Sequence, residues 1–166
     1  MKKVSKRPSA FLDRDGVLNK DIGFAHKPSQ IEWISGAKAA VAFLKNQGYL
    51  VFVVTNQSGI ARGLYTEDDV ETLHAWMNKD LLQAGSFPID DFRYSPYHPE
   101  FDNGHYSDFK DWRKPSPGMI LDIMENWPVD NTRSFLIGDR NSDIKAAEAA
   151  NIRGFLFDGG DLLSFV

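Results

Sequence analysis

Two aspartates lie two residues apart in the string FLDRDGVLN, directly after an apolar segment that ends at Leu12. Such a segment predicts a buried strand that delivers Asp13 and Asp15 to its carboxyl end, the edge at which open α/β sheets bind ligands. Two carboxylates this close repel each other unless a proton or a divalent cation relieves them, and oxygen ligands favour Mg²⁺. Gly16 then lets the chain turn sharply away.

Two further apolar segments end in polar residues in the same way. They are residues 50–54, followed by Thr55-Asn56, and residues 133–137, followed by Asp139 and Asp143. The carboxyl ends of strands in a doubly wound sheet meet at one crevice, so we expect these side chains to lie together. Each motif alone also fits a turn, a calcium loop or a helix N-terminus. Their repetition after separate apolar strands favours one shared site.

These residue types suit phosphoryl transfer. Asp13 is a candidate nucleophile that would carry a covalent aspartyl-phosphate. Asp15 is a candidate acid that protonates the leaving oxygen and then takes a proton from the attacking water. A cation held by Asp13 and Asp139 would neutralise charge between nucleophile and phosphate. Thr55 would hold phosphoryl oxygens, and Lys114 would supply positive charge to the transferring group.

The remaining periodic segments predict the elements that position these residues. Predicted helices are residues 37–47, 67–83, 119–126 and 144–150, and predicted further strands are residues 92–95 and 152–157. Alternating strands and helices predict an α/β fold, a three-layer α/β/α Rossmann-like sandwich with a mostly parallel sheet. We expect a single domain, residues 1–166. A flap at about 19–33 and a long loop at about 96–114 would lie beside the site.

Composition excludes several classes of function. The 166 residues are 42% hydrophobic with a net charge of −4, which argues against nucleic acid as a partner. The chain contains no cysteine, so disulfides and thiolate metal sites are excluded. The basic N-terminus lacks the apolar core of a signal peptide, and no apolar run is long enough to span a membrane. We expect a cytoplasmic monomer without a membrane partner.

The four motifs in this order resemble those of haloacid dehalogenase superfamily phosphatases: Asp13-x-Asp15, Thr55, Lys114 and Gly138-Asp139-x-x-x-Asp143. The longer strings VVTNQSGIARG, RKPSPGM and GDRNSDIKAA are similar to the branch of that superfamily that acts on heptose bisphosphates and histidinol phosphate. The resemblance covers about residues 11–157 and implies the haloacid dehalogenase-like fold. No large insertion separates the motifs, so we expect no large cap domain.

The resemblance implies Mg²⁺-dependent hydrolysis of the 7-phosphate of a D-glycero-D-manno-heptose 1,7-bisphosphate, with a small phosphorylated sugar as the partner. It implies Asp13 as nucleophile, Asp15 as general acid and base, and Thr55 and Lys114 as phosphoryl-stabilising residues. Mg²⁺ would be bound by Asp13, the backbone carbonyl of Asp15 and Asp139. The implied substrate-binding residues are Asp21, Ile22, Gly23 and Phe24 in the flap, Asn56, Gln57 and Ser58 after the second strand, and Arg113 and Arg140. Among them, Arg113 would recognise the phosphate that is not removed.

The long loop departs from the family pattern, which often includes a zinc site there. The four ligand positions hold Ser95, Tyr97, Lys110 and Trp112. We therefore expect no structural zinc and a loop packed by its aromatic residues Tyr97, Tyr106, Phe109 and Trp112. A residual metal site formed by His98, His105 and nearby aspartates is the alternative. A second departure is the end of the chain at Val166, so we expect no later strand or tail.

Two other functions stay open on the sequence alone. One is a phosphatase of histidinol phosphate or another small molecule, although Arg113 favours a substrate with two phosphates. The other belongs to a different class, a module that senses phosphate without turning it over. The presence of both Asp13 and Asp15 favours the enzyme, because a non-catalytic relative could lose either residue.

Overall fold

The computed structural model describes residues 4–166, and within them one sheet of five strands forms the centre of the molecule. The strands are β1 (Ser9–Leu12), β2 (Leu50–Asn56), β3 (Asp91–Ser95), β4 (Phe135–Gly138) and β5 (Arg153–Leu156). Their order across the sheet is β3-β2-β1-β4-β5, and every neighbouring pair is parallel. The predicted parallel sheet is confirmed.

The helices fall close to their predicted positions. They are α1 (Ala37–Asn46), α2 (Glu67–Gln83), α3 (Gly118–Asn126), α4 (Asn141–Ala149) and the short α5 (Leu162–Phe165). Helix α4 begins earlier than predicted because the Asp143 carboxylate accepts the backbone N–H of Arg140 at 3.1 Å and caps the first turn. Helix α5 was not predicted; Asp161 caps it by accepting the N–H of Ser164 at 3.0 Å.

Side chains of β1 and β2 alternate between the two faces of the sheet, as strand geometry requires. Leu12 and Val53 pack with α1, α2 and α5 on one face. Phe11 and Phe52 pack with α3 and α4 on the other face. Because helices cover both faces, the strands are apolar without interruption. The three-layer α/β/α arrangement is confirmed.

The strand order places the candidate residues at one edge. From β1 the chain builds β2 and β3 on one side, and then crosses to build β4 and β5 on the other. The point of reversal lies between β1 and β4, where the backbone N–H of Asp13 donates to the carbonyl of Ile137 at 3.0 Å. Open α/β sheets bind ligands at such a switch point.

Two connections lie over this edge, and no large cap domain is present among residues 4–166. The flap is closed at its base by backbone hydrogen bonds from Lys20 to Glu32 and from Ile34 to Leu18, both 2.8 Å long. No helix among residues 4–166 is both long enough and apolar enough to cross a membrane.

The long loop contains regular structure that the sequence did not predict. Ser107–Trp112 forms a 3₁₀ helix, which is too short to show an amphipathic period. The rings of Phe109 and Trp112 pack edge to face with centroids 5.3 Å apart. Trp112 also packs against the α3 side of the core, and Tyr106 packs against a small apolar cluster beside α2. Aromatic contacts thus connect the loop to the body of the protein.

We expect Trp112→Ala to lower the free energy of unfolding by about 2 kcal/mol, because it removes a partly buried ring that joins the loop to the core. Chemical denaturation measures the loss. Phe43→Ala is the control, since Phe43 is 44% exposed on α1, and should cost less than about 1 kcal/mol.

A zinc-selective chelator should leave the denaturation midpoint of the wild-type protein unchanged. A lower midpoint with chelator would show that the loop holds zinc.

Candidate active site

Lys114 lies at the centre of a buried cluster of charges. Its Nζ is 3.0 Å from Asp13 Oδ1 and 2.5 Å from Asp143 Oδ1, and it also donates to the carbonyl of Val54 at 2.9 Å. All three ionic side chains are buried or nearly so. A buried lysine needs this pairing, because an uncompensated charge in the interior is costly.

A third carboxylate, that of Asp139, lies beside the two that contact Lys114. Asp13, Asp139 and Asp143 each place an oxygen within 4.8 Å of the others. Oδ1 of Asp139 is buried and has no hydrogen-bond partner. An all-oxygen donor set with excess negative charge and an unused buried oxygen fits a hard divalent cation such as Mg²⁺.

The pKa values of the cluster show the same shortage of positive charge. Burial raises the pKa of Asp13 well above its ordinary value, and the charges of Asp143 and Asp15 raise it further, while Lys114 opposes them. Burial disfavours a charged Lys114, but the Asp13 and Asp143 carboxylates outweigh burial and raise its pKa. A cation bound here would favour the ionised form of Asp13.

Gly16 allows β1 and β4 to bring their acidic residues together. Its φ of +91° lies in the left-handed region, and a Cβ atom at this position would be 2.1 Å from Asp139 Oδ2. Only glycine accepts both the conformation and the close approach. Asp13 is oriented from the other side, because its Oδ1 accepts the backbone N–H of Arg14 at 2.9 Å.

Three side chains hold the carboxylate of Asp15. Arg14 Nη2 donates to both of its oxygens at 3.1 Å, Asn19 Nδ2 donates to Oδ1 at 2.9 Å, and Gln57 Nε2 donates to Oδ2 at 3.0 Å. The amide of Gln57 is itself fixed, since its oxygen accepts the hydroxyl of Tyr65 at 2.5 Å. The predicted general acid is therefore held in one orientation.

Asn56 has a contact that the sequence did not predict. Its Oδ1 accepts the backbone N–H of Lys114 at 3.0 Å, and its Nδ2 donates to the carbonyl of Lys114 at 3.2 Å. This pair of bonds ties the end of β2 to the end of the long loop. Asn56, predicted to bind substrate, thus also fixes the backbone position of Lys114.

A cavity of about 550 Å³ opens over these residues. Predicted residues that line it are Asp13, Asp15, Asp21, Gly23, Phe24, Thr55, Asn56, Gln57, Ser58, Arg113, Lys114 and Arg140. Asp139 belongs to the carboxylate cluster instead of the lining. Ile22 is 57% exposed and outside the lining, although we expected it to contact substrate.

Sequence reasoning missed several lining residues: Arg62, Tyr65, Pro115 and Ser142. Asp143 was part of a motif, but no role was predicted for its contact with Lys114. A signal was available for Arg62, since it lies in the string VVTNQSGIARG beside residues predicted to bind substrate. The contact of Tyr65 with Gln57 leaves no comparable signal, because it depends on how the chain folds after β2.

Three arginines give part of the cavity positive charge. Burial lowers the pKa of Arg113, and electrostatic repulsion from Arg62 and Arg140 lowers it further. The positive charges of Arg62 and Arg140 therefore act on Arg113. Arg140 Nη2 also pairs with Asp21 Oδ2 of the flap at 3.2 Å. Guanidinium groups suit bidentate binding of phosphate oxygens, so this part of the cavity can hold an anion.

Arg62 contacts both the flap and the long loop. The carbon of its guanidinium group lies 5.5 Å from the ring centroid of Phe24 in the flap and 4.0 Å from that of Phe101 in the long loop. Such contacts between a guanidinium group and aromatic rings are attractive. The flap and the long loop, which are far apart in sequence, therefore meet at one side chain.

Comparison with known proteins agrees with this geometry. The family described as "HAD-hyrolase-like" matches residues 111–162. D-glycero-beta-D-manno-heptose-1,7-bisphosphate 7-phosphatase of Rhodopseudomonas palustris is 50% identical over 161 residues, which are 97% of this chain and 89% of that protein. The Escherichia coli protein of the same name is 41% identical over 145 residues, covering 87% of this chain and 75% of that protein.

A solved structure shows the same fold. D,D-heptose 1,7-bisphosphate phosphatase from B. bronchiseptica, complexed with magnesium and phosphate, matches with a TM-score of 0.80 and 33% identity. The match covers 95% of this chain and 84% of that one. Identity of this degree over nearly the whole chain, together with the four motifs at one sheet edge, establishes common ancestry. The chain belongs to the haloacid dehalogenase-like hydrolases, as a phosphatase of the family that includes these heptose bisphosphate phosphatases.

Proposed function

We propose that this protein hydrolyses the 7-phosphate of D-glycero-β-D-manno-heptose 1,7-bisphosphate, with Mg²⁺, through an aspartyl-phosphate on Asp13. One observation carries the proposal: a single cavity is lined both by the Asp13–Lys114 pair and by three arginines. The first set suits a phosphoryl group that is transferred, and the second suits a phosphate that stays. The names of the relatives supply the sugar and its β anomer.

Asp13 performs the first chemical step in this proposal. Its carboxylate attacks phosphorus, a new bond joins its oxygen to phosphorus, and the bond from phosphorus to the sugar oxygen breaks. Lys114 and the N–H of Arg14 both donate to Asp13 Oδ1, which fixes the plane of the carboxylate before attack. Preorganisation of this kind saves the entropy of orienting the nucleophile.

Asp15 moves the protons. In its protonated form it donates a proton to the departing sugar oxygen, and the resulting carboxylate then accepts a proton from the water that attacks the aspartyl-phosphate. Hydrolysis of that intermediate releases inorganic phosphate and regenerates Asp13. Thr55 lines the same cavity, and its hydroxyl accepts from the amide of Gln57 at 2.9 Å. The hydroxyl donates only a long hydrogen bond, 3.5 Å, to the carbonyl of Asn56, and it can turn its hydrogen from there toward a phosphoryl oxygen.

Asp13, the backbone carbonyl of Asp15 and Asp139 would hold the Mg²⁺ ion. When bound, the ion supplies positive charge that offsets repulsion between the nucleophile and the phosphate. The unpartnered oxygen of Asp139 supports this assignment. Asp143 lies in the same cluster, and its contact with Lys114 keeps the lysine beside Asp13.

A substrate panel tests the proposal directly. Phosphate release should require Mg²⁺ and should be fastest with the β anomer of the heptose bisphosphate, at least about tenfold above the α anomer in kcat/KM. A difference of that size needs only about 1.4 kcal/mol of differential binding in the transition state. Fructose 1,6-bisphosphate, histidinol phosphate and a 3′-phosphorylated oligonucleotide complete the panel. A higher kcat/KM for histidinol phosphate would overturn the substrate assignment but leave the chemistry intact.

Asp13→Asn is expected to fold normally and to lose at least about a thousandfold in kcat, because an amide cannot form the aspartyl-phosphate. Single-turnover phosphate release measures the loss. Asp68→Asn, an exposed change of the same type in the first turn of α2, is the matched control and should retain wild-type activity. Substantial turnover by Asp13→Asn would refute the nucleophile assignment.

Arg113→Ala should reduce kcat/KM for the heptose bisphosphate by roughly 10- to 100-fold, the effect of losing a charge-assisted hydrogen bond to the phosphate that stays. Turnover of a heptose 7-monophosphate should change by less than about threefold. Arg153→Ala removes an exposed arginine from β5 and should affect neither substrate. Equal losses on both substrates would mean that Arg113 does not recognise a second phosphate.

A further inference from the structure

Arg14 is a charged residue with no exposed surface, and the proposed mechanism uses only its backbone. It lies between Asp13 and Asp15 in the motif, yet its side chain turns away from the cavity and into the protein. Burying a guanidinium group is costly unless its donors are satisfied. The groups that satisfy them therefore show what the residue does.

The guanidinium group of Arg14 contacts three separate parts of the protein. Nη2 donates to both carboxylate oxygens of Asp15 at 3.1 Å and to the backbone carbonyl of Ala25 in the flap at 2.8 Å. Nη1 lies 3.2 Å from Nε2 of His74 on α2. One planar group thus joins the acid, the flap and a core helix.

His74 fixes the plane of that guanidinium group. Arginine has only donors, so Nε2 of His74 must be the acceptor and its proton must reside on Nδ1. Burial lowers the pKa of His74 well below its ordinary value, and the charge of Arg14 lowers it further. The ring is therefore neutral, and it is held by stacking on Phe92 with centroids 4.4 Å apart.

We propose that Arg14 is a positioning residue for the general acid. Its guanidinium group holds the Asp15 carboxylate in the orientation needed for proton transfer to the sugar oxygen, and its bond to Ala25 makes that orientation depend on the folded flap. The inference rests on the proposed phosphatase function and adds a residue to it. Asn19 and Gln57 each bind one oxygen of Asp15 through a neutral amide, whereas the guanidinium group of Arg14 binds both oxygens and carries the charge opposite to the carboxylate.

Comparing substrates with different leaving groups distinguishes a positioning role of Arg14 from a role in folding alone. A sugar oxygen leaves poorly without a proton, whereas p-nitrophenolate leaves as a stable anion. The value of kcat/KM includes only the steps up to formation of the aspartyl-phosphate. It therefore depends on Asp15 as the acid that protonates the leaving group, and does not depend on its later role as the base that accepts a proton from water. Misplacing the acid should therefore slow the sugar phosphate much more than p-nitrophenyl phosphate.

Arg14→Lys keeps the charge, but a single ammonium group cannot bind Asp15, Ala25 and His74 together. We expect kcat/KM to fall roughly 100-fold for the sugar phosphate, the usual contribution of a general acid. For p-nitrophenyl phosphate the expected fall is less than about tenfold. Equal falls for the two substrates, or no fall for the sugar phosphate, would overturn the inference.

A pair of variants at His74 tests the same idea without changing Arg14. His74→Leu removes the acceptor of Nη1, whereas His74→Gln retains an acceptor oxygen. His74→Leu should lower kcat/KM for the sugar phosphate more than for p-nitrophenyl phosphate. His74→Gln should retain most of the wild-type kcat/KM for the sugar phosphate. If both variants slow the two phosphates alike, His74 and Arg14 support only the fold. This pair decides the question if Arg14→Lys does not fold.

A double variant shows whether Arg14 acts through Asp15. Adding Arg14→Lys to Asp15→Asn should cause little further loss with the sugar phosphate, while independent roles would give multiplied losses. The sugar substrate is whichever phosphate the wild-type protein prefers, so an error in the heptose assignment leaves the test intact. A wild-type protein without phosphatase activity would refute the proposed function and this inference with it.

Discussion

A cluster of three carboxylates, two of which pair with one buried lysine, is the constraint on which this structure depends. Asp13 and Asp139 follow two strand ends that Gly16 allows to approach closely, and Asp143 lies in the first turn of α4. Lys114 reaches Asp13 and Asp143 from the end of the long loop. Neither the acids nor the lysine would be tolerated alone in such a buried place. The parallel sheet, the sharp turn after β1 and the bond between Asn56 and the loop all serve to bring them together.

Much of this arrangement could be predicted from the sequence, because a strand that is buried on both faces of a sheet is an uninterrupted run of apolar residues. Uninterrupted apolar segments identify β1, β2 and β4, and the polar residues that follow each segment must then share one edge of the sheet. The positions of Asp13, Thr55 and Asp139 followed from that rule alone. Lys114 was also a candidate from the residues alone, but its contacts with Asp13 and Asp143 could not be predicted, since the long loop before it shows no period.

Other features could not be predicted because they depend on contacts between distant segments. The 3₁₀ helix at Ser107–Trp112 is too short to show a period, and α5 is a single turn. The placement of Arg62 between two aromatic rings requires the flap and the long loop to be folded first. The buried position of Arg14 also left no signal in the sequence, because the groups that satisfy its guanidinium group come from α2 and from the flap.

The bond between Arg14 and the flap has a consequence for how such enzymes diverge. Its acceptor is the main-chain oxygen of Ala25, a group that every amino acid carries. Replacement of the neighbouring side chains, such as Phe24, alters the lining of the cavity without removing the atom that anchors the flap. In the proposed mechanism, changes in flap side chains can therefore alter which substrate is accepted while Asp15 stays in place, so new specificities need not be acquired at the expense of catalysis.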